Sequence, residues 1–228
     1  MSDFYKFPIV LMAGMVAGIL AAPSGAAAKA RCPNIQTEPR ITLKTNPGRI
    51  VYNNTRNRSQ ISRLKSKRGG AGKRGWQPIG LTIGNLQFGM EITVHIQSRS
   101  KKSYCAKIDE VQANLGFGRI TVYVAKRYRK GSCQYRSILN HEREHIEIFR
   151  NALAVYAPKV ERRLTEVAAR LKPVSAFTVK RAVSKLQKTL HREMKPLFTA
   201  MNMTIDTDND RIDTIKNYKR EQAHCSAW

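Results

Sequence analysis

An α+β domain is the fold class this sequence predicts, and three observations predict it. Two period-two stretches lie mid-chain: Ile92, Val94 and Ile96 alternate with Thr93, His95 and Gln97, and Ile120, Val122 and Val124 with Thr121, Tyr123 and Ala125. Such alternation marks half-buried strands. Beyond Gly131 the apolar residues instead recur at spacings of three and four, the rhythm of helices with one buried face. Strands first and helices after predict a small, mainly antiparallel sheet packed on a helix, with further helices following.

Lys6, the nearly uncharged run Phe7 to Ala22 and the small residues Gly25-Ala26-Ala27-Ala28 have the order of a secretory signal peptide. The apolar run is broken by Pro8, Gly14 and Gly18 and is short for a bilayer crossing, which takes roughly 20 apolar residues. Residues 1–28 are therefore expected to be removed on export, giving a periplasmic or secreted protein. Residues 29–75 form a basic N-terminal segment or linker, in which no acid occurs between Glu38 and Glu91. Within it Lys67-Arg68-Gly69-Gly70-Ala71-Gly72-Lys73-Arg74-Gly75 reads as a flexible basic loop, either solvated or a docking surface for anions.

Residues 76–228 are read as one folded domain. Tyr104 to Val111 is expected to be a third strand, with Asn114, Gly116 and Gly118 marking a turn into the next. His95 falls on the polar face of its strand and is expected to face solvent. After Gly131-Ser132 one helix carries Ile138, Leu139, Ile146, Phe149 and Leu153. Pro158 either kinks it or opens a new helix, whose stripe is Val160, Leu164, Val167 and Leu171 and which ends at Lys172-Pro173. A third helical stripe runs from Val179 through Val183, Leu186, Leu190, Met194 and Leu197 to Met201. Asp206-Thr207-Asp208-Asn209-Asp210 is expected to be a loop capping a last short helix that ends near His224. It does not read as a calcium loop, because the twelfth position from Asp206 holds Asn217 instead of glutamate.

Cys32, Cys105, Cys133 and Cys225 all follow the expected cleavage point, and an even set in an exported chain points to disulfides with three connectivities open. The expected pairs are Cys105 with Cys133, clamping sheet to helix, and Cys32 with Cys225, tying the two ends together. No C-x-x-C pair favours a four-cysteine zinc site.

The chemistry concentrates in His141-Glu142-Arg143-Glu144-His145. Two histidines four apart on a helix project from one face and can reach one zinc ion. Glu142 leans to the side where an attacking water would sit. Zinc acidifies such a water and polarises a carbonyl, while the carboxylate takes the proton and returns it to the leaving amine. His141 and His145 are thus candidate zinc ligands and Glu142 the candidate catalytic base.

The stretch Gly131 to His145, Gly-Ser-Cys-Gln-Tyr-Arg-Ser-Ile-Leu-Asn-His-Glu-Arg-Glu-His, resembles the motif region of the zincin metallopeptidases, and more closely that of secreted zinc-dependent proteases of bacteria. The resemblance implies a sheet packed on an active-site helix, zinc on His141 and His145, and catalysis by Glu142. The sequence departs from the pattern at Arg143 and Glu144, where zincins usually carry uncharged residues. Ile148 and Asn151 stand where a metzincin would have glycine and histidine, which excludes that subfamily. Two candidates remain for a third ligand. If the helix breaks before Pro158 and folds back, Glu166 arrives at about the spacing of the thermolysin-like glutamate. If it runs on to Leu171, Glu166 lies roughly 30 Å from His145 and the returning helix brings Asp206 instead. His191 sits too far along that helix.

The chain carries 41 Lys plus Arg against 16 Asp plus Glu, a net charge of +25. Such a field draws in anionic partners without saying what is done to them. For an exported protein these are anionic cell-envelope polymers and lipid phosphates, and a non-catalytic basic protein binding them is the alternative to a hydrolase acting on peptide or protein substrates. Nucleic acid has charge alone in its favour, since the basic stretch has no recognised nucleic-acid motif and no row of stacking aromatics.

Overall fold

The computed structural model describes residues 32–66 and 78–228, so the expected signal peptide and the Lys67–Gly75 loop lie outside the described residues. The order of elements is β1 (Arg40–Asn46), β2 (Arg49–Asn53), α1 (Arg58–Ser66), β3 (Gly80–Ser100), β4 (Ser103–Val124), α2 (Cys133–Arg170), β5 (Val174–Ala176), α3 (Val179–Ile212) and α4 (Ile215–Gln222).

β4 is the spine of a five-stranded sheet. β3 lies antiparallel to it from Gly80↔Val124 to Ser100↔Ser103, and β5 pairs antiparallel at Tyr104↔Ala176. β1 and β2 instead run parallel to β4, at Arg40↔Glu110 to Asn46↔Gly116 and Arg49↔Arg119 to Asn53↔Tyr123. The sheet is thus mixed and not the mainly antiparallel one expected, because two strands come from the segment read as a linker. Cys32–Trp228 form one compact unit, which includes these two strands.

β1 and β2 follow one edge of β4 and are separated at Pro47-Gly48, where proline has no N–H to give the ladder. The turn expected at Asn114 to Gly118 is absent, because these residues lie inside β4. Gly116 is there for space and not for a turn: its φ is +146°, and a side chain would overlap the Asn46 carbonyl at the end of β1.

Sheet, α2 and α3 share one core that includes Ile108, Val111, Leu115, Phe117, Ile146, Leu164, Leu186 and Met194. α2 is capped by Ser132, whose hydroxyl accepts from the Tyr135 N–H. It continues unbroken through Pro158 for 38 residues. Pro158 and Ala154, whose carbonyl loses its helical donor, are both exposed, so solvent replaces the missing bond. α3 packs back along α2 antiparallel: Arg163 reaches Glu193 at 2.6 Å and Tyr156 meets Thr204 at 2.9 Å. The acidic run Asp206 to Asp210 is not a loop, since α3 continues through it to Ile212, and Thr214 caps α4 by accepting from the Asn217 N–H.

The disulfides are Cys32–Cys105 and Cys133–Cys225, which corrects both expected pairs. The N-terminal cysteine is held against β4, which the neighbouring parallel strand β1 lines, and the C-terminal one against the start of α2. Two disulfides and no free cysteine fit an oxidising compartment. No described helix is long and apolar enough to cross a membrane.

Candidate metal centre

His141, Glu142 and His145 occupy the face of α2 that also carries Ile138, Ile146 and Phe149, and they are 4%, 4% and 7% exposed. Arg143 and Glu144 fall on the opposite face, in solvent. A turn of about 100° per residue explains this split, and it places the two charged departures from the zincin pattern away from the site.

The third acid comes from the junction of α3 and α4. Asp213, the residue that ends α3, places Oδ1 3.1 Å from His141 Nε2 and 3.2 Å from His145 Nε2. Neither sequence-predicted third ligand is here. Glu166 is exposed on the far part of α2, paired with Arg162 and Arg163, because the helix does not fold back at Pro158. Asp206 is exposed on α3. The helical return was the correct route, but the acid it delivers lies seven residues further on. His95 and His191 are both exposed and away from the group.

Three further residues position these donors. Asn209, one turn before Asp213, has Oδ1 2.7 Å from His145 Nδ1. An amide oxygen there accepts a hydrogen bond from Nδ1–H and leaves Nε2 pointing at Asp213. Tyr218 of α4 donates to Asp213 Oδ1 at 2.5 Å, and its ring lies 4.8 Å from that of His141. Lys65 of α1 approaches the other carboxylate oxygen at 3.6 Å. On the sheet side, Thr82 donates to Glu142 Oε2 at 2.7 Å and also bonds its backbone carbonyl at 3.0 Å. Gly80 makes room for that carboxylate, since a Cβ there would overlap Glu142 Oε1 and stand 2.7 Å from Ile138 Cγ2.

Burial and charge set the protonation states. Burial pushes the Glu142 carboxyl up, against the pull of His145, His141 and the Thr82 hydroxyl. Burial alone would depress His145, but its bond to Asp213, the charges of Glu142 and Asp213 and the Asn209 contact outweigh that and hold it at about 9. Asp213 is also buried, yet its bonds to His141, His145 and Tyr218 hold its carboxyl far below the usual range. The Tyr218 phenol is driven up by burial and by the Asp213 charge. His141, His145 and Asp213 together could hold a metal ion, their ligand atoms lying within 4.8 Å of one another.

Comparison with family models, characterised proteins and solved structures finds no match to this chain.

Proposed function

We propose that this protein is an exported zinc-dependent hydrolase, acting on peptide bonds, with zinc held by His141, His145 and Asp213. The observation that carries the reading is the convergence of both Nε2 atoms on Asp213 Oδ1 at 3.1 and 3.2 Å, beside a buried glutamate. Two imidazoles and a carboxylate are a donor set of catalytic zinc, and bonds of about 2.0–2.1 Å in a tetrahedral array separate neighbouring ligand atoms by roughly 3.3 Å. Zinc so held would acidify a water and polarise the carbonyl under attack.

The chain's own residues supply the rest. Thr82 fixes the rotamer of Glu142 through Oε2, so the carboxylate is poised to take a proton from water and deliver it to the leaving amine. A carboxyl raised by burial suits both directions of that transfer. Asn209 holds the His145 ring, and Tyr218 and Lys65 hold the Asp213 carboxylate. The basic surface serves to concentrate the protein near anionic envelope material.

Metal content of the purified protein beside His141→Ala is the first test, with about one zinc expected in the wild type and much less in the variant. Glu142→Gln should keep the zinc and lose peptide hydrolysis by about 10²–10⁴-fold. Equal, negligible zinc in wild type and His141→Ala would refute the reading and leave the cationic surface as the function.

A further inference from the structure

The metal centre lies at one end of the α2–α3 pair, and a second feature lies at the other. Arg170, where α2 ends, is 25 residues beyond His145, and Val179, where α3 starts, is 30 residues before Asn209. At 1.5 Å per residue this end stands roughly 40 Å from the histidines. It consists of the β3–β4 turn, Lys101-Lys102, and the β5–α3 connection, Phe177-Thr178, brought together by the pairing of Tyr104 with Ala176.

Between them is a groove of about 440 Å³ lined by Lys101, Lys102, Tyr104, Phe177, Thr178 and Val179. Phe177 is 69% exposed, more than any other large apolar side chain among the described residues. Its charge setting is one-signed: no acid occurs between Glu91 and Asp109 on the hairpin, nor between Glu166 and Glu193 around the connection, whereas Lys172 and Lys180 add to the lysines of the turn. An exposed phenylalanine costs solubility and gains nothing from a soluble polyanion. At a lipid interface the ring enters the apolar layer while lysines meet the headgroup phosphates.

We propose that this end of the molecule docks on the surface of an anionic lipid bilayer, with Phe177 inserted below the headgroups and Lys101 and Lys102 on their phosphates. The metal centre then faces away from the membrane. The proposal is independent of what the metal centre catalyses, because none of these residues touches it.

The test is cosedimentation of the purified protein with phosphatidylcholine vesicles, with and without phosphatidylglycerol. Wild type should bind only the phosphatidylglycerol vesicles. Phe177→Ala should bind about tenfold more weakly, and Lys101→Glu/Lys102→Glu should lose at least about fivefold per lysine. The charge-matched pair Lys44→Glu/Arg49→Glu, on β1 and β2, should lose markedly less. Phe177→Trp should shift its emission to the blue on adding the vesicles, and zinc content should be unchanged in every tip variant. Wild-type binding by Phe177→Ala, no blue shift, or equal losses in the two charge pairs would overturn the proposal. So would release of wild type from the vesicles by polyphosphate to the same degree as Phe177→Ala, which would assign the surface to soluble polyanions.

Discussion

Asp213→Asn is the substitution that weighs most on the metal-centre reading, because it keeps the shape of the side chain and removes its charge. In the wild type His145 stands at about 9 instead of 6.5, despite burial that works the other way. That difference corresponds to about 3 kcal/mol, and Asp213 supplies much of it through a contact of 3.2 Å. A histidine raised on folding contributes stability that is complete below about pH 6.5 and lost as pH rises through about 9. The variant without metal should therefore be less stable than wild type by about 2–3 kcal/mol at pH 6, with the gap narrowing toward pH 10. For a unit of this size 1 kcal/mol moves Tm by roughly 2–4 °C, so the expected drop in chelator at pH 6 is about 5–10 °C. Zinc affinity should fall by more than the roughly 10–100-fold that loss of an outer hydrogen-bond partner causes. Thermal unfolding in chelator at the two pH values, with zinc titration against a chromogenic competitor, reads both effects. Zinc binding by Asp213→Asn within a fewfold of wild type, or equal weakening by Asp206→Asn or Glu166→Gln, would refute this role for Asp213.

Other contacts of the structure carry further outcomes. Zinc bound as proposed would have to displace the proton that His145 holds up to about 9, so apparent affinity should climb about tenfold per pH unit between pH 7 and 9; a flat profile would show that this proton is not in competition. Gly80→Ala should push the Glu142 carboxylate and Ile138 out of place, costing about 1–3 kcal/mol and abolishing hydrolysis, and unchanged turnover would show that the Gly80 contact does not set Glu142. Peptide mapping without reduction should recover Cys32–Cys105 and Cys133–Cys225. Cys133→Ser/Cys225→Ser opens a loop of sequence separation 92 and should cost about 4–5 kcal/mol in the chain-entropy account, read by denaturant unfolding; a loss under 1 kcal/mol would contradict it.

Periodicity was enough to place the strand cores around Ile92–Ile96 and Ile120–Val124 and the helical second half. It missed β1 and β2, because Ile41, Leu43 and Ile50 are interleaved with Arg40, Lys44 and Arg49, and the density of cations outweighed a short alternation. Their parallel pairing with β4 joins residues about 70 apart in the chain, which no local pattern carries. Asn114, Gly116 and Gly118 read as a turn because glycine and asparagine usually mark one. Here the space for Gly116 is dictated by Asn46, a contact that exists only once β1 is in place. Pro158 was ambiguous for a related reason: whether a proline breaks a helix depends on whether its side of the helix faces water.

Asp213 shows where a stronger sequence signal lay. Asp, Asn and Thr compete with the helical backbone for hydrogen bonds, so the run from Asp206 to Asp210 reads as the end of a helix. Yet α3 is held by its buried stripe and not by propensity. Its buried positions Leu186, Leu190, Met194, Met201 and Ile205 step mainly by fours, and two further steps land on Asn209 and Asp213. Asp206, one residue past Ile205, is turned about 100° away into solvent. A polar residue at a stripe position is packed against the neighbouring helix and must find a partner there. Opposite α3 at that level, the partners are the histidines of α2: His145 meets Asn209 and Asp213, and His141 meets Asp213.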